Sequence, residues 1–560
     1  MGAWPVSAAE LTESAVEGFK RASQHLRGDI LEQLGNGEAS VTNEAEQLLK
    51  FHGIYAQDDR DVRRERTLAG EPLAHSFMAR VVIPGGVLEP AQWLALDGLA
   101  DEIANGSVRL TTRQAVQFHG VAKVGLQPMA RSLAQVMLST FGGCGDVVRN
   151  VVACPAELAA DPDGELAKTV QRIAATFRPA TRAHAEVFVD GELAASVEGE
   201  EEHAFYGATY LPRKFKIAIA RPGDNCADVY ANDLGLVPVT HPVHGEGFTV
   251  LVGGGLGRSY AKPDTFARLA DPLCFATYGE VDAVISAVLA TYRDLGDRGE
   301  RKRARLKYVV ADQGIEAFRV EVESRHGGTL TDAVPVLPFA DGEDHLGWAQ
   351  LPDGKLQLGI RVAAGRVKDE AGLTLRSALR EVAQRFAVTF IATPNQDLLI
   401  TGIDSSEREE LAALLASHGV REVEQLGSVE RNALACPALP TCPQALTEAE
   451  RKLPEAVAAL EGALEATGLG GRRLQLRVTG CPNGCARPAL AEVGLVGRTK
   501  NTYDLYVGGG PKGTRLAEVV AEKVKLEDVA EQLTPLLERW RDEGEDGERL
   551  GDFFARTANP

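Results

Sequence analysis

The sequence predicts a mixed α/β (α+β) chain made by internal duplication, two related halves joined without a long linker. Three observations carry this. RNVVACPA at 149–156 returns as RNALACPA at 431–438, and at that same offset Thr111, Gln114 and Gly120 match Thr393, Gln396 and Gly402. After a deletion the match resumes: FKIAIARPGDNCADVYANDLGLV (215–237) parallels LQLRVTGCPNGCARPALAEVGLV (474–496), with Cys226 on Cys485. FTVLVGGGLG (248–257) then echoes YDLYVGGGPKG (503–513). The halves run roughly over 80–340 and 345–560.

In chain order, the first ~75 residues lie outside the repeat and read as an extension, with residues 1–45 a candidate docking arm. Ala91–Ala104 has Trp93, Leu96 and Leu99 at helical spacing. Ser107–Thr111 and Val116–Val121 read as strands around a polar turn. Leu375–Phe386 is the second-half counterpart of the first helix. Leu446–Ala466 reads as a helix broken or kinked at Pro454, because proline lacks the helical N–H. Leu526–Trp540 is a further amphipathic helix, and 542–548 (DEGEDGE) a solvated acidic loop. VGGGLG (252–257) and VGGGPKG (507–513) recur in both halves, so they read as structural turns; no Walker signature is present.

The chain has 560 residues, 44% hydrophobic and 25% charged, which is ordinary globular composition with length for a large core. No apolar run approaches the ~20 residues of a membrane helix. The start, MGAWPVSAAELTESAVEGFKR, has no basic segment leading into an apolar core, and Val6 breaks the myristoylation pattern. A soluble, cytoplasmic protein is expected. Its net charge of −19 opposes non-specific nucleic-acid binding, so an anionic substrate needs a local basic site.

Eight cysteines are too few for a disulfide scaffold. Cys144, Cys154, Cys226 and Cys274 are scattered, whereas Cys436, Cys442, Cys481 and Cys485 form C-x5-C and C-x3-C pairs. Four thiolates in one region suit a [4Fe–4S] cluster. The spacings are wider than zinc knuckles, although structural zinc is the competing reading. Gly480 and Gly484 leave room for a bulky group.

The motifs CPALPTCP and TGCPNGCARPALAEVGLVG resemble those of the sirohaem and iron–sulfur sulfite/nitrite reductase family, nearest its bacterial assimilatory NADPH branch. The likeness runs from KFHGIYAQDDRDVR (50–63) to the region of Arg515. It implies that Cys436, Cys442, Cys481 and Cys485 hold a [4Fe–4S] cluster and that Cys485 also ligates the sirohaem iron. It implies a split ferredoxin-like "parachute" domain (76–145 plus 345–420), a first α/β domain (146–344) and a second carrying the cysteines (421–560), after an extension over 1–75.

Sirohaem is a polycarboxylate, so the resemblance calls for cations. Arg80, Arg149, Lys214 and Lys216 are implied around sulfite. Arg109, Arg113, Gln117, Arg213, Arg305, Lys307, Gln396 and Asn483 are implied as cofactor contacts. Independently of the family, Lys214 and Lys216 alternate on extended chain and so share a face. Two ammonium groups there repel, which lowers both pKa values unless an oxyanion sits between them. Nitrite-reducing relatives tend to have Asn at the place of Lys216, which favours sulfite, with nitrite the alternative. The implied activity is six-electron reduction of sulfite to sulfide, serving cysteine biosynthesis. No dinucleotide fingerprint or flavodoxin-like segment is evident, so electrons come from a partner: a diflavin reductase, which QDDRD (57–61) suggests, or a ferredoxin. A cluster-only electron carrier is the alternative from another class.

Overall fold

The computed structural model describes residues 13–179, 186–189, 192–196, 206–340 and 344–558. Four five-stranded sheets organise them, in two matching pairs. One pair is built by exchange. The first sheet runs Ile54–Asp58, His75–Val81, Val116–Val121, Val108–Leu110 and then Arg366–Val367, which belongs to the second half. Its counterpart runs Gly347–Gln350, Leu356–Ile360, Leu398–Ile403, Thr389–Ala392 and then Val87–Leu88 from the first half. Arg366 pairs with Arg109, and Phe390 with Leu88. Each half thus closes the other's sheet, and the mutual hydrogen bonding fixes how the halves meet.

The other pair has identical strand order. Val152–Ala153, Ile217–Ile219, Leu234–His241, Gly245–Val252 and Asp271–Thr277 form one sheet. Ala433–Ala435, Leu476–Thr479, Val493–Thr499, Thr502–Val507 and Glu518–Lys525 form the other. In each, the first three strands are parallel and the last two join antiparallel. The short parallel strands are wholly buried and mostly apolar, as covering on both faces demands; Arg477 is the charged exception and pairs with Asp228 (2.9 Å).

Most helices expected from periodicity are present. Pro90–Glu102 packs on its repeat partner Leu375–Arg385, with Trp93 stacked on Phe390 at 5.0 Å between ring centroids. Arg376 of the second helix donates to Asp97 (2.6 Å) and Asp101 (2.6 Å) of the first. Two expectations are adjusted. The helix placed at 446–466 spans only Leu453–Ala466, and Pro454 opens it, since the first turn needs no N–H donor. The other is refined only at its ends: the helix expected over Leu526–Trp540 begins with a 3-10 turn, Leu526–Asp528, and runs through Pro535 as Val529–Glu543.

The N-terminal segment is built into the first half. Ile54–Asp58 is the edge strand of the exchanged sheet. Lys20 is buried, paired with Glu17 (2.5 Å) and donating to the Leu211 carbonyl (3.1 Å), while Lys123 ties down Gln33 and Asn36. Residues 13–45 are thus part of the first half's packing; residues 1–12, the rest of the segment read as a docking arm, lie outside those described.

A carboxylate at the base of each parallel sheet holds a neighbouring strand. Asp233 accepts the Lys216 N–H (2.9 Å) and both arms of Arg305. Its repeat partner Glu492, fully buried, accepts the Gln475 N–H (2.9 Å) and pairs with Arg549, which anchors the final helix Leu550–Ala558. Arg549→Met therefore leaves a buried, uncompensated carboxylate and is expected to cost about 3–5 kcal/mol. Thermal unfolding checks this, with part of the loss recovered in Glu492→Gln/Arg549→Met; a wild-type melting temperature in the single variant would refute it.

Candidate active site

The cysteine loops lie at the carboxyl ends of the parallel strands, where open α/β sheets place their ligands. Cys436 follows Ala433–Ala435, and Cys481 follows Leu476–Thr479 by one glycine. The Cys436 N–H donates to the Val478 carbonyl (3.1 Å), and its sulfur accepts the Gly480 N–H (3.3 Å). A Cβ on Gly480 would stand 2.5 Å from the Thr447 carbonyl oxygen, so only glycine lets the loops approach. Gly484 has φ +66°, the left-handed region that glycine adopts without strain. The side-chain amide of Asn483 donates to the Cys481 sulfur (3.4 Å). Cys485 is exposed, and its carbonyl accepts from the Thr112 hydroxyl of the first half (3.0 Å).

The Cys442 loop is held by a residue that the sequence did not single out. Arg60 donates to the carbonyls of Cys442 (3.3 Å) and Ala445 (3.2 Å), and its N–H to Pro440 (3.1 Å). Asp61 pairs with Arg451 (2.6 Å) behind it. Two residues of the QDDRD motif, Arg60 and Asp61, thus brace the cysteine loop. All four thiols are free. Burial, then the charges of Cys485, Cys481 and Cys442, drives Cys436 well up; burial, then Cys485, pushes Cys481 up to about 12. Each thiolate opposes the next, so the set can ionise together only around positive charge.

Cations of the first half face these loops. Arg80 donates to the Gly143 carbonyl (3.2 Å) and the Cys144 sulfur (3.0 Å). Arg149 donates to the carbonyls of Gly143 (3.1 Å) and Gly145 (2.9 and 2.6 Å). Arg113 donates to Asn232 (2.6 Å) and the Ile217 carbonyl (2.9 Å). Lys214 and Lys216 flank Phe215, which bridges to Val148 in extended chain, so the alternation expected of K-F-K holds. Among the described residues, none of these five forms an ion pair within 4.0 Å. The Nε atoms of Arg80 and Arg113 are buried with no hydrogen-bond partner.

These groups feel one another. Burial, then Arg305 and Arg213, lowers Lys214 to about 7; Cys485 pulls the other way. Burial, then Lys214, lowers Lys216 well below the usual lysine range. Burial lowers Arg113 to about 9, with Arg149, Arg487 and Arg80 adding to it. Arg80 is raised: burial acts against it, and the neighbouring Cys144, Tyr55, Cys485 and Cys442 side chains outweigh it.

The remaining candidates sit differently. Arg213 pairs with Asp146 (3.4 Å) and Arg305 with Asp233 (2.7 Å). Lys307 donates to the Gly255 (3.1 Å) and Gly257 (2.7 Å) carbonyls of the glycine turn, and burial lowers it to about 7. Arg109 bridges Glu450 (3.1 Å) and the Ala435 carbonyl (2.8 Å), one residue before Cys436. Gln117 lies between Arg80 and Arg109 across the sheet. Gln396 uses both amide atoms on Ala435 (2.9 and 3.2 Å). Its repeat partner Gln114 likewise braces Ala153 (2.8 Å). His119 is buried, with neither ring nitrogen hydrogen-bonded, as a packed core histidine.

The glycine turns cross between halves. Arg258, after turn 252–257, donates its N–H to the Pro482 carbonyl (2.9 Å) beside Cys481. Asn225, beside Cys226, donates to Lys512 in turn 507–513 (2.9 Å). Each turn covers the cysteine loop of the other half, as a pseudo-twofold requires.

Comparisons with known proteins agree with this plan. The family model described as the nitrite and sulphite reductase 4Fe-4S domain matches residues 170–330 and 426–558. That of the nitrite/sulfite reductase ferredoxin-like half domain matches 73–136 and 349–418. The chain is 44% identical to the sulfite reductase [NADPH] hemoprotein beta-component of Acidithiobacillus ferrooxidans, covering 97% of this chain and 96% of that one. It is 42% identical to the sulfite reductase [ferredoxin] of Synechococcus elongatus, covering 98% and 90%. Among solved structures, the NirA protein of Mycobacterium tuberculosis superposes with a TM-score of 0.79 at 25% identity, covering 97% and 96%.

Gly480→Ala should push the Cys481 loop away from Cys436. Iron and acid-labile sulfide per purified chain are then expected to fall several-fold while the protein remains folded by circular dichroism; wild-type iron content would refute the constraint.

Proposed function

From the premise that the chain belongs to the nitrite and sulphite reductase family, we propose that it is a sulfite reductase haemoprotein holding sirohaem and a [4Fe–4S] cluster and reducing sulfite to sulfide. The observation that carries this is the set of five basic groups that, among the described residues, have no carboxylate partner, Arg80, Arg113, Arg149, Lys214 and Lys216, beside four free thiols.

The residues present fit both groups. Four thiols that oppose one another's ionisation suit a multivalent iron cluster, with Cys436, Cys442, Cys481 and Cys485 as its ligands. Cys485, exposed toward the first half, is the residue to reach a second iron. Buried guanidinium edges with free donors suit carboxylates and an oxyanion. When bound, the two groups supply the electron path and the iron that takes the substrate, chemistry that no side chain provides.

The chain's own residues do the rest. Arg80 and Arg149 are held by backbone carbonyls, which fix their planes without neutralising them, so their charge remains for the sulfite oxygens. Asp233 sets Lys216 by its backbone N–H and draws Arg305 alongside. Lys214 and Lys216 crowd each other, so an arriving oxyanion raises both pKa values and loads each Nζ with a proton for an oxygen leaving as water. Preorganised charge of this kind commonly supplies the largest part of catalysis. In the proposed division, 76–145 and 345–420 brace the interface, 146–344 brings the cations and 421–560 the cysteines. The donor proposed is a flavoprotein reductase, because an acidic ferredoxin would meet a chain of charge −19.

Three outcomes follow. Lys216→Met should cut sulfite turnover by about 10²–10⁴-fold with a nearly unchanged visible spectrum; unchanged turnover would remove Lys216 from the reaction. Lys214 is charged below about pH 7 and neutral above it, so the KM for sulfite should rise as pH climbs through that value. Lys214→Arg stays charged and should blunt the rise; identical profiles would assign the change to sulfite's own ionisation. With NADPH and a diflavin reductase subunit, sulfide production should exceed that with reduced ferredoxin; the opposite order would overturn the donor assignment.

A further inference from the structure

Among the described residues, one group of three or more metal-ligating side chains has all its donor atoms within 4.8 Å of one another: Cys154, Asp224, Cys226 and His345. All four are buried. The group lies outside the active site, yet it is that site's image in the repeat. Cys154 is the counterpart of Cys436 and Cys226 that of Cys485, while Pro222 stands where the second half has Cys481. The first half thus has cysteine at two of these positions, too few for a four-thiolate iron cluster. Asp224 from the Cys226 loop and His345 from the segment joining the halves complete the set.

We propose that these four residues bind a single zinc-type divalent ion. The spacing is that of one ion's coordination shell. The His345 Nε2 and Asp224 Oδ2 are 3.1 Å apart, the Cys154 sulfur lies 3.3 Å from that oxygen, and it lies 4.0 Å from that nitrogen. Donors at tetrahedral angles about zinc, at about 2.0–2.3 Å, stand roughly 3.3–3.8 Å from one another. Two thiolates, an imidazole and a carboxylate suit zinc, which has no geometric demand of its own. The supporting shell is present: the Cys226 N–H donates to Asp224 Oδ1 (2.9 Å), which leaves Oδ2 turned to the group. Cys154 sits at the end of Val152–Ala153 and caps the helix Pro155–Ala160, a rigid mount. Binding displaces the thiol protons to solvent and involves no change of oxidation state.

The position suggests the role. Asp344, next to His345, pairs with Arg431 (2.8 Å) and Arg473 (3.6 Å). Those are the repeat counterparts of Arg149 and Lys214. The joining segment therefore plugs the image of the active site: Asp344 neutralises its cations and His345 joins its cysteines to one ion. The ion would clamp the segment to the first half.

The test uses holoenzyme from zinc-supplemented culture, dialysed against EDTA. Elemental analysis should give about one zinc per chain, and zinc-edge X-ray absorption should show two sulfurs at about 2.3 Å with two lighter donors at about 2.0 Å. Cys154→Ser/His345→Ala should lose the zinc while iron per chain and the visible spectrum stay as in wild type. Should that variant not fold, the absorption spectrum of the wild type decides. Zinc below about a tenth per chain that cannot be restored by added zinc, a shell without sulfur, zinc retained in the variant, or a Cys154–Cys226 disulfide in the native mass would each overturn the proposal.

Discussion

A buried group of basic side chains that, among the described residues, has no carboxylate partner is the constraint on which the site depends. Arg80, Arg113, Arg149, Lys214 and Lys216 lie close enough that each alters its neighbours' proton affinity. Left to itself such a group would separate or recruit carboxylates. It is held by backbone: the Gly143, Gly145 and Ile217 carbonyls take the guanidinium donors, and a parallel strand fixes the extended run through Lys214 and Lys216. Dipoles stabilise these cations without cancelling their charge, so the field remains available to an anion.

The duplication shows how the same scaffold was used in opposite ways. Among the described residues Arg149 and Lys214 have no carboxylate partner, whereas their counterparts Arg431 and Arg473 share Asp344. Asp233 and Glu492 occupy equivalent places, and each holds the N–H at the start of its neighbouring strand. In one copy of the site the basic groups stand without carboxylates among the described residues, and in the other Asp344, from the segment that joins the halves, pairs with them. The exchange of Val87–Leu88 and Arg366–Val367 locks the two copies together, so that cations from one half meet cysteines from the other.

Much of this was legible in the residues. The repeat told which segments correspond, and the corresponding sheets have the same strand order. The four cysteines and the K-F-K pair announced themselves by spacing. Other assignments needed three dimensions. Only the structure shows that Gln396 and Arg109 both bond the Ala435 carbonyl and that Lys307 bonds a glycine turn. Arg60 is distant in sequence from the Cys442 loop it clamps, so no local pattern could mark it. Asp233 had one signal, its alignment with Glu492 in the repeat. Pro454 misled because proline breaks a helix interior but is tolerated in the first turn, and only the structure says which turn it occupies.

By itself the sequence determined the duplication, the buried strands, the two cysteine pairs and the clustering of basic residues, because composition, period and spacing are local properties. Only the tertiary structure decided which cations stay uncompensated, which half supplies which ligand, and that the joining segment fills the second copy of the site. Those outcomes depend on contacts between residues hundreds of positions apart, where burial and the presence or absence of one carboxylate set the energy.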